Sequence, residues 1–438
     1  MAGGTWTTQN KVRPGVYINF TVERKQQSAL GERGIVSVPL VLGWGAPNTI
    51  VSIQAGSDMK SLLGYDLNTP EMLLVKEALK RAKTLLLYRL NTGTKASAVL
   101  GGLTATAKFG GERGNAIQIT IQQNVDDEQL FDVATYLAGE KVDLQTVEDI
   151  AALISNAYVD FSGTGALSAT AGISLSGGAN GSVTNQQHAD YLEAIELHEF
   201  NTIALPSNDA SLKPVYAAFA RRLREEEGRK IQVVLANYPS ANHEGVISVK
   251  NGVKLADGTA VHAEQAVVWV AAATAGAGIS ESLTYSVYED AVDTDIRYTG
   301  SQIEQALQNG EFVFSPSRGG AIVEQDINSL TDYGTGKSRS FSKNRVVRVL
   351  DGIANDLKSL FETSYIGKID NNADGRSLFR SEVVKYLEQL QSRNAIQNFD
   401  SQADLTVAAG EESDAIVIEV HIQPVDSVEK VYMKVTVK

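Results

Sequence analysis

The sequence predicts an α/β chain of α+β multidomain build, with a core of mixed sheet and helices, an inserted mostly-β domain, and an arm at each end. Three observations predict it. Strand, helix and strand succeed one another between Gly34 and Leu90, and the same rhythm resumes after Thr184. Between these stretches the chain turns rich in Thr, Ala, Gly and Ser, with short alternating pieces. The first 25 residues carry little that could form a core alone, and an alternating strand closes the chain. At 438 residues, two to four domains are expected, taking roughly 150 residues for each. The division that follows is an arm at 1–25, core at 26–90, the inserted domain at 91–183, core again at 184–340, and a C-terminal domain at 341–438.

Each element has its own signal. The first 25 residues are polar, hold Pro14 and Gly15, and show no sustained period. Gly34 to Gly45 is a mostly apolar run between glycines, which suits a strand covered on both faces. Pro70 opens a helix to Ala82, with Leu73, Leu74, Glu77, Ala78 and Arg81 at helical spacing. Thr84 to Leu90 is a second strand. In the inserted region Ile117, Ile119 and Ile121 alternate, a helix is expected near Thr146 to Ala157, and Ser162 to Thr184 suggests hairpins and loops. Then come a helix at Gln186–Leu197, a strand at Thr202–Leu205, a helix at Ser211–Glu227 and a strand at Ile231–Asn237. Asn251-Gly252 signals a hairpin over Val246–Leu255, and Ala263–Ala275 a buried helix of small residues. Amphipathic helices follow at Lys343–Ile366 and Ser377–Arg393. Two alternating strands finish the chain, one with Ile416, Ile418, Val420 and Ile422 on a face, the other with Val431, Met433, Val435 and Val437.

Composition excludes several functions. Asp and Glu number 52 against 39 Lys and Arg, a formal charge of -13 with no long basic run, which disfavours nucleic-acid binding. Without cysteine there is no disulfide, thiolate chemistry or Cys-ligated metal. The N-terminus lacks a signal-peptide pattern and no apolar stretch approaches about 18 residues, so a soluble cytoplasmic product without membrane binding is expected. Thr331–Ser338, TDYGTGKS, is close to a phosphate loop but has Thr331 in place of the first glycine and no apolar strand before it. Asp370–Gly375, DNNADG, matches the first half of a calcium loop, but the closing carboxylate stands at Glu382 instead of position 381; a turn and helix start explain the same residues. The five histidines make no metal spacing, and no nucleophile elbow is present. No catalytic residue, cofactor or metal site is therefore assigned.

The ends carry a more specific signal. Lys343 to Phe399 (KNRVVRVLDGIANDLKSLFETSYIGKIDNNADGRSLFRSEVVKYLEQLQSRNAIQNF) and Asp414 to Lys438 (DAIVIEVHIQPVDSVEKVYMKVTVK) resemble the C-terminal domain of the phage tail sheath family, in its branch from phages and defective prophages of Gram-positive bacteria. TWTTQNKVRPGVYINF is similar to the N-terminal arm of that family, with the signature Arg13, Pro14, Gly15, Val16 and Tyr17. GERGNAIQITI, at Gly111–Ile121, is similar to the start of its inserted β-domain.

The resemblance implies a six-fold helical sheath around a tail tube, joined to a baseplate and a tail terminator, which contracts to drive the tube through a cell envelope. Its place would be a virion tail or tail-like particle assembled in the bacterial cytoplasm. Neighbouring subunits are then the first partners. Arg13–Tyr17 would form an inter-subunit arm, and Val431, Met433, Val435 and Val437 an inter-subunit strand, since an arm with no core of its own and a terminal alternating strand suit β-augmentation. Lys343, Arg345, Arg348, Arg376, Arg380 and Lys385 are the tube-facing candidates on the C-terminal helices; intrachain pairing with Glu362, Glu382 and Glu388 is the competing account. An α/β enzyme of nucleotide-type fold and a virion surface binding module remain the alternatives.

Overall fold

The computed structural model describes residues 2–4, 15–17, 31 and 33–437. Its centre is a seven-stranded sheet whose spatial order is Glu311–Phe312, Val246–Val249, Gln232–Ala236, Thr202–Ala204, Ile35–Leu40, Thr84–Arg89 and Ile50–Gln54. Neighbours run parallel except the last, which lies antiparallel to Thr84–Arg89. The sheet is therefore mixed, and the α/β class expected from the sequence holds.

The parallel strands read as apolar runs because both faces are covered. Val36, Val38, Leu85, Leu87, Val234 and Ala236 point into one cluster; Leu86, Tyr88, Ile203, Leu205, Val233 and Leu235 point into the other. Helix α1 (Met59–Leu63) is capped by Asp58, and α2 (Leu73–Leu79) follows the single turn Pro70–Met72. Helices α3 (Asn185–Glu196) and α4 (Leu212–Glu225) cover the second face. On the first face lies α5 (Ala263–Gly276), buried all round from Ala266 to Ala275, where small side chains let it sit close to the strands. Thr202 Oγ1 donates to its Ala271 carbonyl at 2.8 Å. A short helix, α6 (Gly300–Gln308), precedes the edge strand Glu311–Phe312.

Two antiparallel sheets occupy the stretch from Gly93 to Asn180. One is ordered Glu140–Val147, Phe131–Leu137, Ile117–Gln123, Thr170–Ser174; the other Val159–Gly163, Leu103–Ala107, Ser97–Leu100. Ile117, Ile119, Ile121 and Val133 meet Leu103, Ala105, Ala107 and Val159 between them. The pair Gly93–Thr94 with Ala179–Asn180 closes the neck. Beside it Arg89, 1% exposed, donates to the carbonyls of Gly45 (2.7 Å), Thr92 (2.7 Å) and Gly110 (2.6 Å).

Two sequence expectations are corrected. The helix near Thr146–Ala157 is absent: Thr146 and Val147 belong to a strand paired with Asp132 and Phe131, and after it Asp149 caps one turn, Ile150–Ala152. Cross-strand pairing in the sandwich overrides the local helical pattern. The hairpin over Val246–Leu255 is absent too. Val246–Val249 lies inside the large sheet, whereas Val253–Leu255 pairs with Ala260–Val261 and Ala291–Thr294. A tight hairpin of the Asn-Gly kind needs positive φ at both central residues, and neither has it. Instead the buried Asn251 carboxamide bonds the Phe314 N–H and the carbonyls of Ile296 and Phe314, and Gly252 allows the Val261 carbonyl to pass where a Cβ would stand 1.8 Å away.

Helices α7 (Asn344–Ser364) and α8 (Ala373–Ser392) form a third cluster with Ala395, Ile396, Phe399 and Leu405. Helix α8 starts ahead of the expected Ser377, because Asn372 caps it by accepting from the Gly375 N–H at 2.8 Å.

Candidate assembly surfaces

Helix α7 is tied to the core by buried charge. Arg224 on α4 makes a two-pronged contact with Asp351 on α7, at 2.7 and 2.8 Å, with side chains 5% and 10% exposed. Tyr386 on α8 donates to Asp356 on α7 at 2.7 Å. Burial raises the Asp356 carboxyl above its ordinary range, against the opposing pull of the Tyr386 bond, the Gly31 N–H and the Arg33 charge. Burial also brings Arg33 down to about 10.

The basic residues expected to face a tube divide accordingly. Lys343 and Arg348 are corrected: both are buried. Arg348, 1% exposed, donates to the Glu281 carbonyl and lies 3.6 Å from Asp326, while Lys343 pairs with Glu429. At the start of an amphipathic helix they face inward, where carboxylates await them. Arg345 is half-buried and reaches the Asn394 carbonyl at 3.5 Å. Arg376 bonds Asn371, Arg380 donates to the Ser401 carbonyl, and both are partly buried. Lys385 is 57% exposed and pairs with Glu382 three residues before it, at 2.6 Å.

Beyond α8 the chain makes two small two-stranded ladders. Ile396–Gln397 pairs with Gln423–Pro424, and Leu405–Ala409 with Ile416–Val420. Leu405, Val407, Ile418, Val420 and Ile422 face the helices, as the alternation predicts. Two-stranded ribbons are marginal alone, and these leave edge N–H and C=O groups without a ladder partner among the described residues.

The tail follows. Val425 still bonds Ala395, but the expected strand with Val431, Met433, Val435 and Val437 pairs with nothing among the described residues. Those four side chains are 75–91% exposed, and Tyr432 is 90% exposed. No strand is formed over this stretch, which leaves a row of apolar side chains in water. At the other end, Gly15–Tyr17 makes a short parallel pair with Ala2–Gly4. Arg13 and Pro14 lie outside the described residues.

The two motifs with a ligand-binding flavour have structural occupations. Lys337 of TDYGTGKS pairs with Glu244 at 2.9 Å. In DNNADG, Asn372 caps α8 and Asn371 donates to the carbonyls of Ser413 and Ala415, tying the interhelical loop to the last ladder. Among the described residues no group of His, Asp and Glu could hold a metal ion.

Comparison with known proteins assigns these parts together. Family models match residues 33–90 (tail sheath protein Gp18 domain III N-terminal region), 91–180 (phage tail sheath protein beta-sandwich domain), 181–329 (phage tail sheath protein central domain) and 336–438 (phage tail sheath C-terminal domain). The crystal structure of a sheath tail protein from Desulfitobacterium hafniense superimposes with TM-score 0.88 at 57% identity, over 97% of this chain and 100% of that one. The chain belongs to the phage tail sheath protein family. It is a structural sheath subunit of a contractile injection system. The sheath protein is also 41% identical to the phage-like element PBSX protein XkdK of Bacillus subtilis, over the full length of both. The contracted helical sheath of the anti-feeding prophage shares the fold, with TM-score 0.59 at 13% identity over 97% of this chain and 98% of that one.

Sequence reasoning missed two residues of this sheath protein that hold its parts together, Arg89 at the neck and Glu429 at the root of the tail. Glu429 left a trace. It falls on the same side of the terminal alternation as Val431 and Met433, a lone carboxylate on an otherwise apolar face.

Proposed function

We propose that the chain polymerises with copies of itself into a six-fold helical sheath around a tail tube, between a baseplate and a tail terminator, and that its contraction drives the tube through a cell envelope. The observation that carries this is the terminal segment Val431–Val437, whose alternating apolar side chains stand exposed and unpaired among the described residues, in the same unit as two ladders with open edges. Strand addition from one subunit to the next satisfies both, and a repeated donor and acceptor on each copy yields an open polymer. In this reading Gly15–Tyr17 belongs to a second exchanging arm, residues 91–183 form the outer domain, and α7 with α8 lies nearest the tube. Lys385 is the basic side chain with the freest approach to it. Contraction is then a move from a metastable extended lattice to a more extensively packed one, with the exchanged strands keeping subunits joined while their bodies rotate.

Electron microscopy of the purified protein in negative stain tests the proposal. Long hollow cylinders are expected from the full chain, and soluble unpolymerised subunits from variants lacking residues 1–25 or 431–438. Normal cylinders from either truncation refute the arm assignment. Charge reversal at Arg380 and Lys385 is expected to weaken assembly that depends on the tube, and unchanged assembly removes them from the tube contact.

A further inference from the structure

We infer that Glu429 is a positioning residue for assembly: it pins the root of the terminal strand to its own subunit and so fixes where on the next subunit that strand can pair. Its carboxylate takes donors from three separate segments. Thr284 Oγ1 donates at 2.9 Å from the stretch after α5, Gln325 Nε2 at 2.6 Å from the stretch after the strand Gly320–Val323, and Lys343 Nζ closes the ion pair from the cap of α7. The Lys343 and Glu429 side chains are 9% and 11% exposed. On either side the chain stands in water, with Val428 85% and Val431 77% exposed.

The donors are themselves immobilised. Thr284 Oγ1 also accepts from the Asp326 N–H at 3.0 Å, and the Asp326 carboxylate accepts from the Leu283 N–H at 3.0 Å and the Asn344 amide at 2.9 Å. Two loops of the core and the first residues of α7 thus form one seat, and the tail contributes a single side chain to it. The seat fixes the reach of the strand. Residues 430–437, fully extended, span about 26 Å, so the accepting edge on the neighbour must lie within that radius of Glu429.

The inference rests on the strand-exchange reading, and the experiment separates the two. Polymerisation of full-length protein is followed by light scattering and electron microscopy for wild type, Glu429→Ala, the charge swap Lys343→Glu with Glu429→Lys, and a variant lacking 431–438. Hydrogen exchange at 426–430 reports the root directly. Expected are no polymer from the truncation and, for Glu429→Ala, faster exchange at the root in a monomer that still folds but melts lower, because the buried Lys343 loses its partner. Assembly of this variant should be slower by at least about tenfold, the factor for re-ordering a single backbone residue on docking. The charge swap should recover the wild-type rate. Should Glu429→Ala fail to fold, Glu429→Gln, which keeps the size and removes the charge, takes its place. Wild-type assembly by the Glu429 variant, with the truncation still inactive, overturns the pin and leaves strand exchange standing. Normal assembly by the truncation overturns strand exchange and the pin with it.

Discussion

Replacing Asp351 by Asn should detach α7 from the core in a measurable way. The Arg224 guanidinium is 5% exposed at the side chain and makes both of its close carboxylate contacts to Asp351, at 2.7 and 2.8 Å, with a further bond to the Ile231 carbonyl at 2.8 Å. Removing one partner of such a pair strands a charge away from water and costs about 3–5 kcal/mol; the near-isosteric Asn still offers one acceptor, which favours about 3. With a urea dependence of about 1–3 kcal/mol per molar, the midpoint should fall by about 1 M or more. The assay is urea unfolding of the monomer followed by circular dichroism in the helical band, each transition fitted separately because the chain has several domains. Asp293→Asn supplies the comparison, since its partner Arg297 is 70% exposed and such pairs contribute about 0–1 kcal/mol. A second comparison exchanges both Arg224 and Asp351 for apolar residues of similar size, which should recover most of the loss. A shift for Asp351→Asn no larger than that for Asp293→Asn would refute the reasoning.

Further outcomes are expected. Arg89→Met leaves the carbonyls of Gly45, Thr92 and Gly110 short of donors at about 1–3 kcal/mol each, and limited proteolysis should then cut near Gly93 and Asn180 well before the core melts. Gly252→Ala drives a Cβ to 1.8 Å from the Val261 carbonyl, so a loss above about 4 kcal/mol and a collapse of soluble yield are expected. Burial alone would raise the Glu429 carboxyl, but bonds from Lys343, Gln325 and Thr284 outweigh it and hold it below the ordinary 4.5. A depressed carboxyl stabilises above its unfolded pKa and loses that contribution as pH falls through the folded value. Protection of the tail root, measured as exchange relative to the intrinsic rate at each pH, should therefore persist at pH 5 and fall only below the ordinary glutamate range.

Much of the fold was legible because its signals are local and strong. The apolar run at Ile35–Leu40, the small-residue helix α5 and the alternation at Ile416–Val420 each follow from burial pattern alone. The failures occur where a distant partner decides. Thr146 and Val147 look helical until Asp132 and Phe131 lie beside them, and Asn251-Gly252 looks like a hairpin until Phe314 claims the Asn side chain. The basic residues of α7 illustrate a second limit. Lys343 and Arg348 have the spacing of a solvated face, yet their partners are Glu429, Asp326 and a backbone carbonyl well apart in sequence. The tail reads from its alternation as a strand for another subunit, and among the described residues it forms no strand within its own chain, since pattern reports what a segment can pair with and not whether the partner is in the same chain.

The Arg89 knot carries a lesson for anyone wishing to rebuild this molecule. Its partners are main-chain oxygens and the Asn91 carboxamide, so the cation reads the path of the neck and ignores which side chains lie above it. Mutational drift in the sandwich can then proceed without loosening this knot, provided that it spares Phe109, Arg113 and Tyr158, whose side chains also meet Trp44, Gly64 and Tyr65 of the core. The neck can serve as a socket on one condition: a foreign β-domain spliced between Thr94 and Ala179 keeps the Gly45 and Thr92 carbonyls but must itself supply an acceptor where Gly110 stood if Arg89 is to hold it at a fixed angle.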